Sequence, residues 1–345
     1  MMDAIPYEER LRLSDGVPAL GQRAVMAKIP AYSEVPLVNA YPAPDAHPET
    51  IRAIVFNMER GQTLDETCDF VCDCPGFQNV DIILANELDN GNVRSGCRDV
   101  AQAISERIGM NYCFGLEFIE LVNPDDVKGY HGNAIFSRWP IKWAKTLYLP
   151  EEYNWYYDRQ KRIGCRLAIL AMIEVDGRDV GAVCVHLENR TDSDGRARQT
   201  KAILDEIERV FPKGCPIIMG GDFNTNTFDG DSVAEFLPLY EAQKAGEPMR
   251  DVAQYERTLP LVEEYGYDYR SFNLDKVTTR RKPMRDGGDL ELQLDWLFVR
   301  GMQCAARGVI STKQGEMEWA KPGSALAAFE GRQLSDHNAV WADCY

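Results

Sequence analysis

Pro216-Ile-Ile-Met-Gly-Gly-Asp222-Phe223-Asn224 is the stretch on which the reading of this 345-residue chain turns. Its first four residues form a short apolar, β-branched run, which reads as a strand, and two glycines carry that strand into an acid and an amide. The same grammar recurs up and down the chain. Ile51–Phe56 ends in Asn57, Asp81-Ile-Ile-Leu-Ala-Asn86 ends in Glu87, and Val180–Val185 ends in His186. Ser335-Asp336-His337 precedes the run Ala339–Trp341, and Asp295 lies inside Leu294–Val299 on the pleat face of Leu297 and Val299.

A polar residue closing a strand ordinarily just begins a loop. Asp295 resists that reading, because a carboxylate on an apolar strand is costly unless paired, hydrogen-bonded or bound to a metal. The set is also selective: acids, amides and imidazoles, with no lysine or arginine. Carboxylate and amide oxygens suit a hard cation such as Mg²⁺. Imidazoles backed by acids suit general acid or base chemistry near neutral pH. Of four histidines, His131, His186 and His337 lie in or beside these segments, whereas His47 sits among prolines and reads as a surface residue.

Further strands are expected at Ala134–Phe136 and Arg166–Val175. Asp176-Gly177 joins Arg166–Val175 to Val180–Val185 as a hairpin. Arg196–Phe211 carries Ile203, Leu204, Ile207, Val210 and Phe211 on one helical face. Asp192–Gly195 reads as its turn and cap, and Arg98–Ile108 as a second helix. This is a mixed, partly antiparallel α/β pattern. The first fifty residues hold seven prolines and little helical pattern outside Tyr7–Leu13, so 1–50 reads as an extension wrapping the domain or as an arm. Residues 51–345 read as one large domain.

The net charge of −16 argues against a protein that grips long duplex DNA, though not against a local basic groove. No apolar run is long enough to span a bilayer and no signal peptide is visible, so the ten cysteines read as reduced thiols of a cytoplasmic protein.

Seven segments occur in the order seen in the endonuclease/exonuclease/phosphatase superfamily, which the chain resembles from about Arg52 to its C-terminus. They are Phe56-Asn57, Asn86-Glu87, Gly132-Asn-Ala-Ile-Phe-Ser-Arg-Trp-Pro-Ile141, Val185-His186-Leu187, Gly221-Asp222-Phe223-Asn224, Leu294-Asp295-Trp296 and Ser335-Asp336-His337. One departure is mild: the family commonly has glutamine where Asn86 precedes the glutamate. The resemblance implies a four-layer α/β/β/α sandwich, two packed mixed β-sheets flanked by helices. It also implies a divalent metal, Mg²⁺ with Mn²⁺ as an alternative, and hydrolysis of a phosphate ester by water. Carried over, Asn57 and Glu87 hold the metal with Asp295 or Asp336 nearby. Asp222 deprotonates the water, and Asn224 hydrogen-bonds the phosphate. His186 and His337, the latter oriented by Asp336, stabilise the developing charge and protonate the leaving oxygen.

Arg162, Arg281, His131 and Asn133 are candidate substrate contacts. The first two belong to the basic stretches Arg159–Arg162 and Thr279–Arg285. Tyr153, Trp155, Tyr156 and Tyr157 could stack a base or sugar, or pack a long loop onto the sandwich. Cys68, Cys72 and Cys74 match no usual zinc spacing and read as helix packing. The charge favours a small phosphorylated molecule or lipid head group. A nuclease acting on short or single-stranded nucleic acid is the alternative, which a salt titration separates. A catalytically inactive binding module is the alternative from another class, but such a relative should have lost a site residue and none is missing. Substrate identity and oligomeric state are not written in the motifs.

Overall fold

The computed structural model describes residues 2–45, 48–225 and 233–345, so His47 lies outside the described residues. Two large sheets dominate it. The first runs Leu37–Val38, Asn111–Glu120, Tyr130–Ser137, Ile82–Asn90, Ile51–Arg60, Ala339–Cys344 and Cys304–Ile310, with Arg162–Gly164 paired off this path against Asn111–Glu120. The second runs Asp295–Arg300, Ile217–Asp222, Arg178–His186, Leu167–Val175 and Ile141–Tyr148. Both are mixed: Ile51–Arg60 pairs parallel with Ile82–Asn90, and Arg178–His186 parallel with Ile217–Asp222.

The sheets face each other across one core, with Val55, Leu84 and Ile135 of the first sheet meeting Ile169, Ala182 and Leu297 of the second. Helices Leu64–Asp73 and Val100–Ile108 cover the outer face of the first sheet, packing Phe70 and Ile104 with Phe56 and Ile83. Helices Ser193–Val210 and Thr258–Glu264 cover the second, packing Ile203, Leu204, Ile207 and Leu259 with Val183 and Met219. The layers are therefore α/β/β/α. Asp192 caps the long helix by accepting from the Gly195 amide at 2.9 Å. The hairpin residues Asp176 and Gly177 both have positive φ, 51° and 73°, which suits a two-residue turn joining twisted strands. Cys68 and Cys74 are buried in the core under the first sheet.

The parallel pairs explain why strand ends carry the chemistry. Parallel neighbours finish at the same rim, where ligands bind in open α/β sheets. Asn57 is registered with Asn86, Asp222 with His186, and, across an antiparallel pair, Asp222 with Asp295. Gly221 makes the last step possible. At φ 145°, a Cβ there would lie 1.9 Å from the Val185 carbonyl oxygen.

Three strands lack an alternating or apolar signature. Asn111–Glu120 is buried throughout yet contains Gly115, Glu117 and Glu120. Ile141–Tyr148 and Cys304–Ile310 are sheet edges, and the latter is mostly small or exposed residues. The proline-rich extension lies against the first sheet and shares its core through Met2, Val25, Met26 and Ile29. Its Arg10 is buried and donates to the Glu120 and Asp126 carbonyls at 3.2 and 2.6 Å. Gln22 binds the Arg162 carbonyl at 3.1 Å and accepts from the Gly164 amide at 3.0 Å. Tyr32 donates to the Ile163 carbonyl at 2.6 Å.

Candidate active site

Asp222 is the hub of the rim. Its Oδ2 lies 3.7 Å from His186 Nε2 on one side and 3.7 Å from His337 Nε2 on the other. Asn57 Nδ2 donates to the same oxygen at 3.1 Å. Asn86 Oδ1 accepts from the Asp222 amide at 2.9 Å, and Asp222 Oδ1 accepts from the Asn224 amide at 2.9 Å.

Each histidine beside Asp222 rests on a buried acid. His337 Nδ1 donates to Asp295 Oδ2 at 2.8 Å, and His186 Nδ1 donates to Glu117 Oε2 at 3.0 Å. An ionised carboxylate can only accept, so the proton on each Nδ1 leaves Nε2 toward Asp222. Burial alone would lower His337, but Asp295, Asp222 and Asp336 outweigh it and raise it to about 10. Burial pushes Asp295 up to about 6, against the pull of His337. At neutral pH the pair is therefore imidazolium and carboxylate. Burial would also raise Glu117, but His186 and Arg166 bring it down to about 2.

The acid that orients His337 is thus Asp295, whereas the sequence reading assigned that role to Asp336. Asp336 turns outward instead, its Oδ2 taking Arg280 at 2.7 Å with Oδ1 3.7 Å from His337 Nε2. Glu117 was missed altogether. It sits within a strand that has no alternating pattern, and no motif marks it. The third histidine repeats the arrangement: His131 Nδ1 bonds Asp89 at 2.8 Å, and Arg94 grips Asp89 with two nitrogens at 2.6 and 2.8 Å.

The oxygen donors available to a hard cation lie on the other flank. Burial would raise Glu87, but Arg60 and the three site histidines hold it well below the usual carboxylate range, so it is charged. Its oxygens meet Asn57 Nδ2 only at 3.4 Å and Arg60 Nε only at 3.7 Å. A partly exposed, charged and loosely held carboxylate beside the Asn57 amide and Asp222 fits a divalent cation. Oxygens of Asp222 and Asp295 and a ring nitrogen of His337 also lie within 4.8 Å of one another. Within this trio His337 and Asp295 are hydrogen-bonded to each other, Asp222 stands 3.7 Å from His337 Nε2, and Asp295 Oδ1 is buried without a hydrogen bond.

Backbone strain gathers at this flank. Glu59, Arg60, Glu87 and Asn224 have φ of 44°, 69°, 55° and 47°. Left-handed φ is unusual for such side chains and costs on the order of 1 kcal/mol or more each. Register shifts between Asn57 and Arg60 and between Ala85 and Leu88 produce the first three. Glu59 accepts from the Asp336 amide at 2.9 Å, and burial and the Asp336 charge raise it to about 7.

These groups line a cavity of about 270 Å³. Its remaining wall is basic: Arg60, Arg159, Arg162, Arg166, Arg190, Arg280 and Lys282 all face it. The acidic excess of the whole chain is thus locally reversed. Arg162 and His131 are on the wall as expected, but Arg281 and Asn133 are not. Strand Arg280–Pro283 alternates, so Arg280 and Lys282 face the cavity. Arg281 instead turns into the protein and bonds Gln333, Asn338 and Thr312 at 2.8, 2.6 and 2.7 Å. The phase of a four-residue strand made of cations and a proline has no apolar marker. Asn133 lies beneath the site, linking Asn86, the Glu87 amide and Glu117 at 3.1, 3.2 and 2.9 Å. Asn224 lines the cavity while donating its side-chain amide to the Leu187 carbonyl at 3.0 Å.

Comparison with known proteins agrees with this geometry. The Endonuclease/Exonuclease/phosphatase family matches over residues 44–337. The uncharacterized protein YbhP of Escherichia coli (strain K12) is 28% identical over 97 residues, which cover 28% of this chain and only about a third (34%) of that relative. An endonuclease/exonuclease/phosphatase family protein from Leptotrichia buccalis C-1013-b superposes with a TM-score of 0.54 at 13% identity, covering 86% of this chain and 99% of its own. The human nocturnin catalytic domain with bound sulfate anion does so with a TM-score of 0.50 at 16% identity, covering 90% and 97%. Likeness at this identity speaks for the fold, and the family match spans most of the chain. The chain belongs to the endonuclease/exonuclease/phosphatase family.

Proposed function

We propose that the chain hydrolyses a small phosphorylated molecule or a lipid head group by in-line attack of water on phosphorus, with Mg²⁺, or Mn²⁺ in its place, as the divalent ion. The observation that carries this reading is the Asp222 hub. A carboxylate stands between two Nε2 atoms, each ring braced by a buried acid, on the wall of the cavity. Asp222 accepts the proton of the attacking water. His337, cationic at neutral pH, donates to a phosphoryl oxygen and returns a proton to the leaving oxygen. His186, braced by Glu117, flanks the phosphoryl group on the side opposite His337, and the Asn224 side-chain amide donates to a further oxygen. Glu87 and Asn57, with Asp222 and Asp336 close by, would hold the cation, which supplies charge neutralisation on the phosphoryl group. Arg162 and His131 serve as substrate contacts, joined by Arg280, which takes the place of Arg281.

We further propose that residues 51–345 are the catalytic domain and 1–50 its brace. No described helix is long and apolar enough to cross a membrane. All ten cysteines are free, which supports a cytoplasmic setting. The test is a hydrolysis screen with Mg²⁺ and Mn²⁺ over bis(4-nitrophenyl) phosphate, inositol phosphates, sphingomyelin, RNA, and single- and double-stranded DNA. Turnover of a small phosphoester that drops at least about a thousand-fold in Asp222→Asn, with an unchanged melting curve, is expected. Near-normal turnover in that variant removes Asp222 from its role.

A further inference from the structure

The cavity has two chemically different ends. At one, Asp222, Glu87 and Asp336 surround the histidines. At the other, Arg159, Arg162, Arg166 and Arg190 come from the segments 159–166 and 187–190. Nothing in the hydrolytic step requires this second end.

It is built rather than incidental. Arg162 and Arg166 are 3% and 5% exposed. Each guanidinium is anchored from behind by an acid that does not line the cavity: Arg162 by Glu120 at 3.2 Å, Arg166 by Glu117 at 2.8 Å, and Arg190 by Asp158 at 3.3 Å. Trp155 is the common spacer, its ring centroid 4.9, 5.3 and 5.9 Å from the three guanidinium carbons. Trp155 is itself fixed by donating to Glu188 at 2.9 Å. The Nε atoms of Arg162 and Arg166 point back at Glu120 and Glu188, at 3.2 and 3.6 Å, which holds both guanidinium planes in place. Burial lowers Arg162, and neighbouring Arg60, Arg94 and Arg166 add like-charge repulsion that an anion would relieve. Arg159 adds an exposed cation at the mouth.

We infer that the substrate carries a second phosphate besides the one under attack, seated on Arg162, Arg166 and Arg190 while the scissile phosphate lies at Asp222. Planar guanidiniums braced by acids behind them and, for Arg162 and Arg166, by the amide oxygens of Gln160 and Asn189 at 2.6 and 3.0 Å, form a fixed cationic wall of the kind that phosphate oxygens match. The inference rests on the phosphoesterase reading above, and it narrows the substrate class to bisphosphorylated small molecules.

The probes are α,ω-alkanediol bisphosphates of two to six carbons and the matching alkyl monophosphates, titrated by calorimetry into the full chain with Mg²⁺. At one of these lengths a bisphosphate is expected to bind at least about ten-fold tighter than its monophosphate, and Arg190→Gln should shrink that ratio about ten-fold. Arg159→Gln, at an exposed position, provides a second variant that folds irrespective of the Trp155 cluster and should shrink it by a smaller factor. Equal affinities at every length, or a ratio indifferent to both variants, overturn the inference. Hydrolysis of bis(4-nitrophenyl) phosphate is followed in parallel. Turnover without a bisphosphate preference defeats the second site alone. A bisphosphate preference in a protein that hydrolyses nothing upholds the site and defeats the hydrolytic reading.

Discussion

Glu117→Gln isolates what one buried carboxylate contributes beneath His186. Glu117 accepts from Arg166 at 2.8 Å, Asn133 at 2.9 Å and His186 Nδ1 at 3.0 Å. The amide keeps the volume and removes the charge, leaving Arg166 opposite Glu188 alone at 3.6 Å. Removing one partner of a buried pair costs about 3–5 kcal/mol. Proton linkage gives a second figure. The Glu117 carboxyl is lowered from 4.5 to about 2 by His186 and Arg166 against the opposing effect of burial. A depressed folded pKa stabilises fully above the unfolded value and is lost as pH falls through the folded one. That shift is worth roughly 3 kcal/mol, all of it present at pH 7 and lost between about pH 4.5 and 2. Urea unfolding of wild type and variant should therefore differ by about 3 kcal/mol at pH 7. Below pH 4.5 the gap should narrow by about 1.4 kcal/mol per pH unit. Because the acceptor that orients His186 loses its charge, kcat should also fall about ten- to hundred-fold with KM little changed. Equal unfolding midpoints at pH 7, or a gap that does not narrow between pH 5 and 3, would refute this role for Glu117.

Neighbouring arginines should separate cleanly. Arg281→Ala strips Thr312, Asn338 and Gln333 of a buried partner and should cost about 3 kcal/mol in urea unfolding. Arg280→Ala should mainly raise KM, and the opposite pattern would reverse which arginine faces the cavity. Gly221→Ala drives a methyl into the Val185 carbonyl at a φ that disfavours alanine, so at least about 3 kcal/mol of stability should go; a soluble variant with the wild-type melting temperature would contradict the close approach. Glu87→Gln should weaken Mg²⁺ binding about ten- to hundred-fold, read as a right-shifted Mg²⁺ titration of melting temperature, and an unshifted titration would take Glu87 out of the ligand set.

What could be read from the chain was whatever lies where a strand meets the rim. Asn57, Glu87, His186, Asp222, Asp295 and His337 each follow or open an apolar run, and the structure gathers all six. What lies one layer below was illegible. Glu117 left no mark in the middle of a fully buried strand, where burial erases alternation, and Asn133 was singled out as a substrate contact although it sits beneath the site and bonds other side chains. Pairwise orientation was beyond sequence as well. Asp336 and Asp295 are both acids near His337, and only the strand register puts Asp295 under Nδ1. Between the two readings of the extension, a wrap or an arm, proline density alone does not choose. Prolines exclude long regular elements but not burial, and Val17, Val25, Ile29 and Tyr32 pack in short turns between them.

Gln22 and Tyr32 fasten the backbone of Arg162–Gly164, and both lie ahead of residue 44, where the family match begins. One stretch of the basic wall is therefore held from two sides: its side chains by acids of the family-matched region, Glu120 behind Arg162 and Glu117 behind Arg166, and its main chain by residues that precede that region. Damage to the extension should be felt in the cavity as a shift of its cations, while Asp222 and its two histidines keep their own supports.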